Sequence, residues 1–169
     1  MATLFAQPYS LDATDKGFYF ESMDEYEEKA EGLTDRFGLA VEEFEIQFID
    51  GEEIDGELFG ALGVTQATIE RYYEAVETLE DYDKIKIVIA VNECGYVYEE
   101  TSRPDDFEVD IYEVDTLKEL AYQFVEEGLY GEIPESLRFY IDYNAIARDL
   151  DVEYSETKIA GRRYVYRCG

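Results

Sequence analysis

The sequence predicts an α+β fold made of three small domains, and three observations carry that reading. Hydrophobic residues supply 46% of the chain, with 16 Tyr and 10 Phe against three Pro, so a core can form although 42 residues are acidic. The hydrophobic period is mixed up to residue 50, helical from there to 83, and mainly strand-like afterwards. The length, 169 residues, suits one ordinary domain or a few very small ones. The expected division is a strand–helix–strand domain over 1–50, a helical middle domain over 51–83, and a strand-rich α+β C-terminal domain over 84–169.

Within 1–50, Ser22 and Glu25 have the spacing of a capping box, whose hydroxyl and carboxylate each satisfy a free amide at a helix start. Met23, Tyr26, Ala30, Leu33 and Phe37 continue at helical spacing, and Gly38 is a natural stop. Residues 43–48 then alternate, sending Phe44, Ile46 and Phe48 to a core and Glu43, Glu45 and Gln47 to water.

In 51–83, Ile54, Leu58, Phe59 and Leu62 predict a short helix interrupted by glycines. Thr65 caps a longer one, with Ile69, Tyr72, Tyr73, Val76 and Leu79 on one stripe and Glu70, Glu74, Glu77, Glu80 and Asp81 opposite. So short a stretch buries little alone and must lean on its neighbours.

From Lys84 onward, Ile85 to Val91 reads as a buried strand that residues 92–95 turn into Tyr96-Val97-Tyr98. Phe107, Val109 and Ile111 alternate with Glu108, Asp110 and Tyr112 as a third strand. Thr116 and Glu119 form a second capping box; Leu117, Leu120, Ala121, Phe124 and Val125 make one apolar face, and Gly128 ends that helix. Pro134, at the first helical position, opens another with Leu137, Tyr140, Ile141 and Ala145 facing inward. Strands near 152–158 and 163–167, hinged at Ala160-Gly161, close the chain.

Charge narrows the function. With 42 Asp and Glu, 14 Lys and Arg and no His, the net charge is −28. Direct binding to nucleic-acid phosphates needs a basic stripe, which this balance excludes, and an anionic membrane repels the chain for the same reason. Without His there is no Ser-His-Asp triad, no Cys-His pair and no His-ligated metal. The longest aliphatic run, Ile87 to Val91, is far too short to span a bilayer, and no secretory signal stands at the start. A soluble, cytoplasmic protein without cofactor or metal is expected. Cys94 and Cys168, far apart and outside any CxxC, read as small buried or idle thiols of a reducing compartment.

Three uses remain for the acids. Paired carboxylates run glycoside hydrolysis, but dozens of pairs are available here and the feature singles out none. Gly-rich nucleotide-binding fingerprints are absent. Calcium binding fails on spacing: setting Asp55-Gly56 at the fifth and sixth positions of an EF-hand puts Gly51 first and Leu62 twelfth. In the third use the charge pattern is itself the function. Residues 21–57 hold 15 acids against Lys29 and Arg36, on the outer faces of elements whose inner faces are apolar. At ~1.7 Å of axis per phosphate charge, 28 charges match about 48 Å of duplex DNA. Such runs also serve simply as solvated helix faces.

Residues 117–150 are more specific. The turn EEGLYGEIPESL (Glu126 to Leu137) and the segment YIDYNAIARDL (Tyr140 to Leu150), followed by a short hairpin ending in an aromatic residue and Arg, resemble the C-terminal part of the ArdA family of antirestriction proteins. The resemblance implies an elongated homodimer of three small domains in line that imitates bent B-form DNA with surface carboxylates. It implies occupancy rather than catalysis. Such a protein fills the DNA groove of type I restriction–modification enzymes, meeting the Lys and Arg of their methyltransferase and specificity subunits, and incoming mobile DNA escapes cleavage.

The carboxylates expected to stand in for phosphates are Asp24, Glu28, Glu31, Glu43, Glu45, Glu70, Glu74, Glu77, Asp106, Glu108, Asp110, Glu126 and Glu127. The family's characteristic segment maps onto Phe124 to Pro134. Gly128 and Pro134 have a sufficient reading as a helix stop and a helix start. Leu129 and Tyr130, beside Phe124 and Glu132, are candidates for self-association or partner contact. The rival reading is an acidic binding module or chaperone for basic DNA-binding proteins.

Overall fold

Two three-stranded antiparallel sheets with helices between and beyond them make up the fold, in a computed structural model that describes residues 1–169. In the first sheet β1 (Thr3–Pro8) lies between β2 (Phe18–Phe20) and β3 (Phe44–Asp50). Alternation buries Leu4 and Ala6 from β1 and Phe44 and Ile46 from β3, as their spacing requires.

Helix α1 (Met23–Ala30) starts as expected: Ser22 Oγ accepts the Glu25 N–H at 3.1 Å, and the Glu25 carboxylate accepts the Glu21 N–H at 2.9 Å. It stops well before Gly38. Gly32 adopts φ +72°, and the chain turns back through a Thr34–Ala40 bridge while Asp35 Oδ1 accepts the N–H groups of Phe37 and Leu39. Phe37, expected on the helix, therefore sits exposed on this loop.

Helices α2 (Glu53–Leu62) and α3 (Ile69–Thr78) follow. A Cβ at Gly56 would lie 3.0 Å from the Phe48 ring, so the glycine lets α2 approach β3. Thr68, not Thr65, is the N-cap of α3; its hydroxyl instead accepts the Thr65 N–H at 2.9 Å. From α3, Ile69, Tyr72 and Tyr73 complete the first core with Leu4, Phe20, Tyr26 and Phe44.

The segment expected to be a strand at 85–91 is part of helix α4 (Asp81–Asn92). Its consecutive residues Ile87, Val88, Ile89 and Ala90 are all buried. A helix covered on every side shows no polar face, and its β-branched run resembles a core strand. Residue 83, where a change of pattern was expected, lies inside this helix. Tyr96 to Tyr98 form no strand.

The second sheet runs β4 (Val109–Tyr112), β6 (Arg162–Cys168), β5 (Ser155–Ile159) in spatial order. Its two faces have different partners. Val109, Ile159, Tyr164 and Tyr166 pack with Ile54 and Leu58 of α2 and Ile87 to Ala90 of α4. On the other side Val165 and Tyr154 meet Leu120 and Phe124 of α5 (Leu117–Glu126). Covered on both faces, β6 buries three successive residues, Tyr164, Val165 and Tyr166.

Pro134 does not open an α-helix. It precedes a 3₁₀ turn at Glu135–Tyr140, and α6 (Tyr143–Leu150) starts later, with Asp142 Oδ1 accepting the Ala145 N–H at 3.0 Å. Leu137 and Tyr140, expected inward, are exposed; Ile141 and Ala145 are half-buried. The two cysteines are not idle thiols. The ends of α4 and β6 meet, and Cys94 and Cys168 form a disulfide with Cα atoms 5.6 Å apart across 74 positions of sequence.

Candidate functional site: an acidic surface

Asp55 is the one acidic residue in the buried set; every other carboxylate reaches the surface. The local reason is the pattern of each element. On α3, Ile69, Tyr72, Tyr73 and Ala75 turn inward, which leaves Glu70, Glu74 and Glu77 in an exposed row. Beside and within β4, buried Phe107 and Val109 alternate with exposed Asp106, Glu108 and Asp110. Asp24 and Glu28 stand on the outer face of α1 and Glu31 caps its end; Glu43 precedes β3 and Glu45 lies in it. Glu126 and Glu127 close α5. All thirteen expected positions are exposed.

Some of these acids are engaged. Asp110 pairs with Arg167 at 2.6 Å and Glu126 with Arg138 at 3.1 Å. Asp106 accepts the Arg103 N–H at 2.7 Å, and Glu127 accepts the Gln123 amide at 3.0 Å. Asp24, Glu28, Glu31, Glu43, Glu45, Glu70, Glu74, Glu77 and Glu108 form no ion pair. Over the whole chain seven of 42 carboxylates are ion-paired, so most of the negative charge is uncompensated.

The structure brings Glu70 and Glu74 beside Glu100 at one open depression, with Arg71 among them. Arg71 stacks on the Tyr98 ring at 4.3 Å and donates to the Glu99 carbonyl, which fastens the irregular segment after α4 to α3. Glu99, Glu100 and Arg71 were not among the expected residues; a contact spanning 28 positions leaves no mark on local pattern. Glu25 was also passed over. Hydrogen bonds from Lys29 and from the Glu21 N–H hold its carboxyl below the usual range, so it is a firmly charged group.

The Phe124 to Pro134 segment divides by role. Phe124 is buried. Gly128, at φ +78°, completes a helix stop in which Leu129 N–H donates to the Phe124 carbonyl at 3.0 Å and Gly128 N–H to that of Val125 at 3.2 Å. Leu129, Tyr130 and Glu132 are exposed, as are Leu137, Phe139 and Tyr140 just beyond; Phe139 is 92% exposed. The Arg138–Glu126 pair ties this apolar stretch to the end of α5. No three His, Cys, Asp or Glu side chains are grouped to hold a metal ion, and within Asp50 to Glu57 the Asp55 carboxylate turns inward to Lys84.

No curated protein matches the chain. A family model described as antirestriction protein (ArdA) matches residues 4–162, so the likeness extends from residues 117–150 over the first sheet, all six helices and the second sheet as far as the first residue of β6. Proteins of that family counter restriction–modification enzymes as inhibitors rather than as enzymes. Matched over nearly its whole length, the chain belongs to the ArdA family of antirestriction proteins.

Proposed function

We propose that this protein imitates B-form DNA with its surface carboxylates and occupies the DNA-binding groove of a type I restriction–modification enzyme, protecting incoming mobile DNA. One observation carries the reading: 41 of 42 acids lie outside the buried set, on every part of the fold, and few have a cation of their own. Lys and Arg that would meet phosphates meet carboxylates instead, and the electrostatic attraction of DNA is reproduced. Asp24, Glu28, Glu31, Glu43, Glu70, Glu74, Glu77 and Glu108 are the stronger candidates. Glu45, Asp106, Asp110, Glu126 and Glu127 act with part of their hydrogen-bonding capacity already used.

The protein works in the cytoplasm as a homodimer. Its interface includes Leu129, Tyr130, Leu137, Phe139 and Tyr140, apolar groups otherwise left in water. The arrangement of three units in line, divided near 50 and 83, is part of this proposal, with α4 carrying continuous helix across the second boundary.

The test is competition. Labelled duplex bound to the methyltransferase–specificity complex of a type I enzyme should be displaced at low salt, and displacement should weaken steeply as salt rises. Glu70→Gln, Glu74→Gln and Glu77→Gln singly should matter little and together should weaken displacement, as expected of redundant charges. Duplex binding untouched by excess protein at low salt would sink the proposal. Equal capture of unrelated histone-like proteins would assign the surface to a general chaperone instead.

A further inference from the structure

We propose that Cys94 and Cys168 form a thiol–disulfide exchange site, a redox latch through which a dithiol reductant loosens the join between α4 and the last strand. The partners sit where two elements end: Cys94 follows the last turn of α4, and Cys168 is the last residue of β6. Their Cα separation of 5.6 Å accepts a disulfide without movement of the backbone. Cys168 is exposed, whereas Cys94 is half-buried against the second core. The bridge is therefore open to a reagent on one side.

Exchange begins at Cys168 Sγ. A reductant thiolate bonds to it, the Cys94–Cys168 bond breaks, and Cys94 leaves with the electron pair and takes up a proton. The reductant's second thiolate then attacks its own sulfur, closing the reductant's disulfide and expelling Cys168 as a thiolate that takes up the second proton. Two electrons pass from the dithiol to the protein, and the same steps reversed restore the bond.

What the bond holds is a short join. Residues 93–100 have no regular structure beyond the end of the helix. Apart from the disulfide, the segment rests on Tyr96 and Tyr98 against Phe107, with ring centres 5.2 and 6.2 Å apart, on the Tyr96 N–H donating to the Ala90 carbonyl at 3.0 Å, and at its far end on Arg71, which stacks on Tyr98 and donates to the Glu99 carbonyl. A long hydrogen bond from the Tyr96 hydroxyl to the Gly169 carbonyl, 3.5 Å, adds little. The apolar contact of Ile87 and Ile89 with Tyr164 and Tyr166 lies deeper and does not depend on the bridge. Opening is thus local: it loosens residues 94–98 and the chain end, while Glu93 still accepts from the Thr157 and Tyr166 hydroxyls, 3.2 Å from each, and Arg71 still donates to the Glu99 carbonyl. This inference stands apart from DNA mimicry, and its test uses no restriction enzyme.

The test is to equilibrate the full chain with reduced and oxidised dithiothreitol, trap free thiols, map the linked peptides and measure amide hydrogen exchange. The expected result is a Cys94–Cys168 link that forms and is lost reversibly. Reduction should speed exchange about tenfold or more over 94–98 and 168–169, leaving α1 and α5 unchanged. The Cys94→Ser/Cys168→Ser protein should exchange like the reduced form in both buffers. Thiols that stay free under oxidising conditions would overturn the proposal. So would identical exchange in the two states, or loss of the whole fold on reduction, which would make the bridge a structural staple.

Discussion

Lys84 Nζ lies 2.8 Å from Asp55 Oδ1, and these two are the only charged residues that the fold buries. The pair joins α4 to α2, and the Asp55 carbonyl accepts the Tyr72 hydroxyl at 2.9 Å, which brings in α3. Desolvation roughly cancels the attraction within such a pair, but a lone buried charge has nothing to offset it. Lys84→Met should therefore cost about 3–5 kcal/mol, and Asp55→Leu/Lys84→Met should recover most of that loss. Urea unfolding followed by circular dichroism measures both; a cost no greater than for a surface lysine would show that the pair holds nothing together.

Lys84 also marks the limit of what could be read from sequence. The polar ends of α1 and α5 were legible because their chemistry is local: Ser22 with Glu25 and Thr116 with Glu119 lie within one turn, and the Glu25 and Glu119 amides donate to the expected hydroxyls. Nothing local reports that Ile85 to Val91 is wrapped by α2 on one side and the second sheet on another. Helix propensity disfavours such β-branched residues by only some tenths of a kcal/mol each, less than their burial contributes. The same limit hid the Cys94–Cys168 bond and the Arg71–Tyr98 stack. The acidic surface was legible, since exposed carboxylates follow from the apolar pattern beneath them. Which of them are neutralised was not, because Arg167 meets Asp110 only once β4 and β6 pair.

Tyr72 and Tyr73 make the first core sensitive to alkali. Burial pushes both hydroxyls above their ordinary range; Asp55 adds to the rise for Tyr72, and Glu25 and Glu21 add to it for Tyr73. A folded pKa raised above the unfolded value of about 10 stabilises the fold below that pH. The contribution is lost as pH rises from there toward the folded values. Stability should fall from about pH 10 upward, with these tyrosines the last to ionise by ultraviolet titration. Tyr73→Phe gives up a hydroxyl shared between the Ala2 and Phe20 carbonyls, 3.2 Å from each. It should cost about 1 kcal/mol at neutral pH and make the alkaline decline shallower. An equally steep decline in the variant would show that Tyr73 does not contribute to it.

Gly128 and Gly17 separate backbone strain from crowding. A Cβ at Gly128 meets nothing within 4 Å, so Gly128→Ala faces only the positive φ of +78° and should lose about 1 kcal/mol. At Gly17 the φ is −62°, ordinary for any residue, but a Cβ would lie 2.4 Å from the Phe5 ring. That ring sits 4.8 Å from Tyr19, so Gly17→Ala must disturb the pair and should lose more than Gly128→Ala. Thermal unfolding of both variants gives the order, and the reverse order would mean that Phe5 moves aside freely.

Salt should act with opposite sign on folding and on target binding. Within the molecule, 28 uncompensated negative charges repel, while the exposed ion pairs that oppose them, such as Arg36–Asp12 at 2.6 Å, contribute at most about 1 kcal/mol each. Raising ionic strength from 0.01 to 1 M shortens the screening length from about 30 to about 3 Å, which weakens the diffuse repulsion more than the close pairs. The thermal midpoint should therefore climb with sodium chloride, and climb equally with a bulky monovalent cation, because no particular ion is involved. Over the same range, competition with duplex for a restriction enzyme should collapse. A midpoint that falls with salt would mean that the few ion pairs outweigh the repulsion, and the acidic surface would then be held in place by specific contacts rather than merely tolerated.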